Sequence, residues 1–108
     1  MILEGYIANW RKYPEDEVKV RVARPSILAP SFRLLSDYKT GKINWGEYEI
    51  RYREEIYQNP NAVKRILEIA HLSKEKNVRL ICYEKNPPCH RFILIELIVR
   101  LQSAEASS

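Results

Sequence analysis

The pattern of apolar and polar residues along the chain predicts three β-strands. Residues 17–23 alternate valines with mostly charged residues, so one face of this strand is apolar and the other carries Arg21. Another short strand, with a less regular alternation, is predicted over residues 2–8. Residues 78–83 are almost continuously apolar, which is typical of an interior strand in a parallel sheet that is covered on both faces.

Between and after these strands, apolar residues recur at spacings of three and four, which predicts helices. The predicted helices cover residues 31–39, a segment beginning at Asn44, residues 60–76 and residues 88–102. Asn44 and Glu47 stand three positions apart, as in a capping box, and Asn59 precedes Pro60 as a capping residue before a first-turn proline. An aromatic stripe on the second helix is predicted to lie in the core: Trp45, Tyr48 and Tyr52.

This order of elements predicts an α/β fold with a small, mostly parallel sheet of three or four strands flanked by helices. With 108 residues, the chain is long enough for one sizeable core, so residues 1–102 are predicted to form a single domain. Residues 103–108 are small and polar and are predicted to be a disordered tail. The composition is 45% hydrophobic and 30% charged, which argues against an intrinsically disordered chain and against a coiled-coil rod.

The longest apolar run, residues 92–101, is about half as long as a bilayer crossing requires and contains Glu96 and Arg100. No secretory signal is recognised, and two cysteines do not provide the disulfide framework of a small secreted domain. These features predict a cytoplasmic protein without a membrane partner. Twelve isoleucines with only two glutamines are typical of a thermophilic source.

The last predicted helix is apolar on almost all sides, because eight of the ten residues from 92 to 101 are apolar. Such a helix is either buried centrally or shared with a second copy of the chain. Both alternatives stay open at the level of sequence, so a homodimer formed through this helix is one prediction.

The segment 82–91 concentrates the residues that could carry chemistry, and it lies where a strand leads into a helix. Ligands of parallel sheets usually bind beyond the carboxyl ends of the strands, near helix N-termini that favour anions. The predicted catalytic residues are Cys82, Glu84, Cys89 and His90. The predicted ligand-binding residues are Arg21, Lys85 and Arg91. In this interpretation a thiol is the nucleophile or redox group, Glu84 or His90 moves protons, and Arg91 binds a carboxylate or phosphate.

Zinc is disfavoured by the sequence spacing. Six residues separate Cys82 from Cys89, whereas structural zinc sites usually place two to four residues between paired cysteines, and there is no second cysteine pair. The three glycines lie outside this segment, which excludes a phosphate-binding glycine loop there. The sequence therefore predicts neither a metal nor a cofactor.

Around this segment the sequence resembles the domain-of-unknown-function 488 family of small bacterial and archaeal proteins. The resemblance rests on an apolar strand ending in Cys82, on Glu84-Lys85, and on Cys89-His90-Arg91 opening a helix. Upstream, Lys19-Val20-Arg21 stands where the family often ends a strand in Asp-Val-Arg. The resemblance implies the α/β fold and a site at these residues, but no particular activity.

Two functional interpretations follow. The first is a thiol- and arginine-lined site for an anionic small molecule at residues 82–91, with enzymatic activity left open. The second is a nucleic-acid-binding module, because basic residues are frequent in the first third of the chain, the net charge is +4, and Trp10 and Tyr13 could stack on bases. The basic residues of that segment include Arg11, Lys12, Lys19, Arg21, Arg24 and Arg33.

Overall fold

Three short strands form one parallel sheet in the computed structural model, which describes residues 1–23, 25–83 and 89–106. The strands are β1 (Ile2–Tyr6), β2 (Val18–Arg21) and β3 (Val78–Cys82). Their order is β1-β3-β2, and both outer strands run parallel to β3. The predicted α/β fold is confirmed. The continuous apolar run of β3 reflects its central position, where it is covered on both faces.

Four α-helices surround this sheet in the described part of the chain: α1 (Phe32–Lys39), α2 (Trp45–Tyr57), α3 (Pro60–Leu72) and α4 (His90–Ala106). The predicted caps are confirmed, since the side chain of Asn44 accepts a hydrogen bond from the backbone N–H of Glu47, and Asn59 caps α3 in the same way. The last helix continues past its predicted end near residue 102, because neither glycine nor proline follows to stop it.

The chain leaves β1 through a short 3-10 helix, Ile7–Lys12, where the sequence predicts that the strand continues. The side chain of Tyr13 then folds back over β1, and its hydroxyl accepts a hydrogen bond from the backbone N–H of Tyr6. A Cβ atom on Gly5 would lie only 2.7 Å from this ring, so the close approach requires glycine.

Helix α4 lies against α2, α3, β1 and β3, which explains why it is apolar on almost all sides. Its central side chains are buried inside the chain: Ile93, Leu94, Leu97 and Ile98. The apolar composition therefore needs no second copy, and the homodimer stays a prediction. None of the helices in the described residues combines the length and apolar character that a membrane crossing requires.

The sheet also holds a partly buried ion pair at its amino-terminal half. Arg79 on β3 donates two hydrogen bonds, of 2.8 and 2.7 Å, to the carboxylate of Glu17. The guanidinium of Arg79 also lies 4.1 Å from the centre of the Tyr13 ring. The guanidinium of Arg79 holds the pKa of Glu17 below its ordinary value, mainly through these hydrogen bonds.

Candidate functional site

Cys82, Cys89 and His90 meet at the junction between β3 and α4, and we call them the cysteine–histidine cluster. The two sulfur atoms lie 3.2 Å apart. Nδ1 of His90 lies 3.7 Å from the sulfur of Cys89 and 4.0 Å from that of Cys82. All three side chains are buried, and both cysteines are free thiols. The structure thus brings together three of the predicted catalytic residues.

The orientation of His90 follows from one hydrogen bond to the backbone after β2. Its Nε2 lies 2.7 Å from the carbonyl oxygen of Val22, and because a carbonyl only accepts, Nε2 must carry the proton. In the neutral ring, Nδ1 then has a free lone pair, which faces the two sulfur atoms. His90 is therefore placed to take a proton or to bind a cation on the side of the thiols.

Tyr52 supports this ring from α2. It meets His90 edge to face, with 5.6 Å between the ring centres, and its hydroxyl donates a 2.5 Å hydrogen bond to the carbonyl of Leu28. Burial raises the pKa of Tyr52 well above its ordinary value, so this hydroxyl keeps its proton. The predicted aromatic core is confirmed for Tyr52 and Tyr48, both of which are buried.

The two thiols have different roles in the cluster. Cys89 donates a hydrogen bond to the sulfur of Cys82. That hydrogen bond, followed by burial, raises the pKa of Cys89, although the backbone N–H and the charge of Arg91 act in the opposite direction. Cys89 is consequently the thiol that keeps its proton, and Cys82 is the sulfur that accepts.

A pocket of about 270 Å³ opens beside the cluster, and both Cys82 and His90 line it. The other lining residues are Ala23, Ala29, Pro30, Leu35, Lys39 and Tyr83. We call it the Cys82 pocket. A larger depression of about 680 Å³ lies at the amino-terminal ends of β2 and β3, but no thiol or histidine lines it. The Cys82 pocket is therefore where a ligand could meet the cluster.

The predicted ligand-binding arginines do not line the Cys82 pocket. Arg91 is almost fully buried; its Nε donates a 3.0 Å hydrogen bond to the carboxylate of Glu4, and its guanidinium lies over the ring of Phe92. Arg21 is exposed, and its guanidinium lies 4.8 Å from the centre of the Tyr83 ring. Glu84 and Lys85 lie outside the described residues.

Arg21 instead lines a shallow groove of about 400 Å³ that we call the basic groove. Lys19 and Arg65 line it as well, together with Pro25 and Ser26. Two of these three cations belong to the basic first third of the chain. The third, Arg65, comes from α3, and no sequence signal links it to β2.

Several contributors to the cluster also escape the sequence patterns. Val22 contacts His90 through its backbone carbonyl, which a pattern of side chains does not reveal. Lys39, which lines the Cys82 pocket, is not distinguished in the sequence from the other exposed lysines. Helical periodicity indicates that Tyr52 is buried, but not what its hydroxyl binds.

Residues 9–102 match a family model described as "Active DUF488-N3 subclade". No curated protein and no solved structure matches the chain.

Proposed function

Since the chain belongs to the DUF488-N3 subclade, whose description calls it active, we propose that it is a thiol-dependent enzyme. In this proposal Cys82 attacks an electrophilic, negatively charged small molecule in the Cys82 pocket. One observation carries it: Cys82 lines a pocket, and its sulfur accepts a hydrogen bond from Cys89 and lies 4.0 Å from Nδ1 of His90.

Cys82 is the better nucleophile of the two thiols. It lines the pocket, and the hydrogen bond from Cys89 stabilises the negative charge that a thiolate carries. Cys89 keeps its own proton and is not among the pocket-lining residues. Cys89 therefore acts as a hydrogen-bond donor to the reacting sulfur.

His90 moves the proton. Its Nδ1 takes the proton of the Cys82 thiol while the sulfur forms a bond to the electrophilic centre and the bond to the leaving group breaks. The leaving group takes that proton from Nδ1. Water then attacks the centre bound to Cys82, and a proton of this water returns through His90 to the sulfur, so the enzyme is restored.

The pocket indicates the class of substrate. A volume of about 270 Å³ suits a small molecule, and most of its lining residues are apolar. Lys39 belongs to the lining, and its positive charge favours a ligand with a negative charge. Arg91 does not line the pocket, since its side chain is held by Glu4, but its positive charge acts on the thiol of Cys89.

Alkylation of the folded protein tests the nucleophile. We expect iodoacetamide to label Cys82 and to leave Cys89 unlabelled, as mapped by mass spectrometry. Cys82→Ser abolishes this labelling, whereas Cys89→Ser retains it, because the serine hydroxyl still donates a hydrogen bond to Cys82. Labelling of both thiols only after unfolding, or of Cys89 before Cys82, would contradict the proposal.

A pair of reagents tests the charge of the substrate. Iodoacetate is the anionic counterpart of iodoacetamide, so Lys39→Gln should slow labelling of Cys82 by iodoacetate and leave labelling by iodoacetamide unchanged. Lys42→Gln, on an exposed lysine beyond α1, is the matched control. An equal effect of Lys39→Gln on both reagents would contradict the proposal that the substrate is negatively charged. It would not contradict the proposal that Cys82 is the nucleophile.

The basic groove supports nucleic-acid binding as a second candidate function, since Lys19, Arg21 and Arg65 come together there beside the exposed ring of Tyr83. Phosphate contacts make affinity fall with salt, and each contact removed lowers the salt slope for a single strand by about 0.7. We expect reversal of these three charges to glutamate to weaken binding of a labelled single-stranded oligonucleotide. The matched control reverses three other exposed lysines: Lys42, Lys64 and Lys76. An equal loss of oligonucleotide affinity in both variants, or no binding by the wild type at low salt, would exclude nucleic-acid binding at the basic groove.

A further inference from the structure

The distances within the cysteine–histidine cluster are close to those of a tetrahedral metal site. With zinc–sulfur bonds of about 2.3 Å and zinc–nitrogen bonds of about 2.0 Å, tetrahedral geometry places two sulfurs about 3.8 Å apart and sulfur about 3.5 Å from nitrogen. In the cluster the sulfurs are 3.2 Å apart, and Nδ1 lies 3.7 and 4.0 Å from them. To complete the geometry, the sulfurs would separate by about 0.6 Å, and Nδ1 would approach the sulfur of Cys82 by about 0.5 Å.

The sequence spacing does not count against such a site. Short spacings belong to sites in which both cysteines come from one turn, whereas here Cys82 ends a strand and Cys89 precedes a helix. The fold brings the three donor atoms within 4.8 Å of one another.

The surroundings of His90 are also those of a metal ligand. Histidines that bind metals usually donate their other ring N–H to a carbonyl or carboxylate, which fixes the tautomer and aims the ligating nitrogen. The bond from Nε2 to the Val22 carbonyl does this here and leaves Nδ1 for the cation. On the sulfur side, the backbone N–H of Arg91 donates to Cys89, and the buried guanidinium of Arg91 offsets negative charge on the sulfurs.

From these contacts we propose that the reduced cluster binds one soft divalent cation, with Zn²⁺ as the best fit, through Sγ of Cys82, Sγ of Cys89 and Nδ1 of His90, and that the cation displaces the protons that the two thiols carry in the metal-free protein. Two sulfurs and an imidazole nitrogen are ligands that Zn²⁺ accepts and that Mg²⁺ and Ca²⁺ do not prefer. The fourth position faces the Cys82 pocket, which two of the three ligands line. A bound cation engages the sulfur of Cys82 and thereby blocks its use as a nucleophile.

Titration of the reduced protein with Co²⁺, in the absence of oxygen, tests this inference directly. We expect one equivalent to produce sulfur-to-cobalt charge-transfer absorption together with the visible bands of tetrahedral cobalt, and Zn²⁺ to abolish both. Oxidation of the wild type to a Cys82–Cys89 disulfide should abolish the spectrum without any substitution. A reduced wild type that shows no charge-transfer absorption would overturn the inference.

Ligand variants assign the donor atoms. Cys89→Ser and His90→Gln should each weaken Co²⁺ binding by more than the about 10- to 100-fold that loss of a second-shell partner costs. The control is His71→Gln, at the exposed second histidine of the chain. Circular dichroism verifies that each variant is folded. Unchanged affinity in both folded ligand variants would exclude this set of ligands.

This inference needs only the three donor atoms, so it stands or falls separately from the proposed enzyme. If Cys82 is alkylated but the reduced protein gives no cobalt spectrum, only the metal inference fails. If Co²⁺ binds but Cys82 is never alkylated in the metal-free protein, only the enzyme proposal fails. If the enzyme proposal and the metal inference are both right, one equivalent of Zn²⁺ should protect Cys82 from iodoacetamide. Labelling of Cys82 at an unchanged rate would contradict the metal inference.

Discussion

His90 donates a 2.7 Å hydrogen bond from Nε2 to the backbone carbonyl of Val22, and this contact connects the first turn of α4 to the chain that follows β2. It determines which ring nitrogen carries the proton. The other nitrogen then faces Cys82 and Cys89 with its lone pair. The chemistry available to the thiols thus depends on a backbone atom 68 residues away in sequence.

Two substitutions of His90 should separate the two ring nitrogens. The amide of glutamine can replace the donor at Nε2, so His90→Gln keeps the bond to Val22 but loses Nδ1. We expect this variant to be as stable as the wild type and to alkylate at Cys82 at least about 100-fold more slowly, the lower end of what a general base contributes.

His90→Asn makes the opposite change, because its shorter side chain reaches the Nδ1 position but not Val22. The buried carbonyl of Val22 then lacks its partner, so we expect a loss of about 1–3 kcal/mol in the free energy of unfolding, measured in urea. Equal stability of the two variants would show that the bond to Val22 does not hold the ring.

Tyr52 should stabilise the fold through its hydroxyl. Tyr52→Phe removes the donor to the Leu28 carbonyl and leaves a buried acceptor unpaired, which costs about 1–3 kcal/mol of unfolding free energy. Tyr57→Phe is the control, since the Tyr57 ring is 63% exposed. Denaturant unfolding measures the stability of both variants. Similar unfolding midpoints for Tyr52→Phe and Tyr57→Phe would contradict a stabilising role of the Tyr52 hydroxyl.

The contact between β1 and Tyr13 should make Gly5 intolerant of any side chain. In Gly5→Ala the new methyl would overlap the Tyr13 ring, and we expect a loss of about 1–3 kcal/mol, the usual cost of overpacking. Gly46→Ala is the matched control. Its Cβ meets only an Asn44 side-chain oxygen, at 3.4 Å, and alanine favours the helix, so stability should stay equal or rise. Thermal unfolding of both variants and the wild type tests this prediction. If Gly5→Ala is as stable as the wild type, the Tyr13 ring moves aside at no cost.

The parts of this fold that depend on neighbours in sequence could be predicted from the sequence. The caps at Asn44 and Asn59 act within three residues, and Cys82, Cys89 and His90 lie close enough along the chain to be recognised as one candidate site. The central strand could also be predicted, because burial on both faces leaves a continuous apolar run.

What could not be predicted depends on contacts between distant segments and on helix phase. Val22 and Tyr52 meet His90 across 68 and 38 residues, and neither carries a signal of that contact. Arg91 directly follows His90, so sequence alone placed both in one site. Consecutive residues of a helix point about 100° apart, however, and His90 faces the thiols while Arg91 faces Glu4 on β1.

The ion pair between Glu17 and Arg79 should make stability depend on pH. Its hydrogen bonds lower the pKa of Glu17 in the folded state, so the folded protein binds a proton less readily there than the unfolded chain does. The resulting stabilisation is complete above the ordinary pKa of glutamate and is lost as the pH falls through the lowered pKa of Glu17. Urea unfolding at a series of pH values should therefore show wild type more stable than Glu17→Gln at pH 7, with a difference that shrinks toward pH 3. Glu75→Gln, at an exposed carboxylate, should follow the wild-type profile. A difference between wild type and Glu17→Gln that is the same at every pH would mean that packing, and not charge, accounts for the role of Glu17.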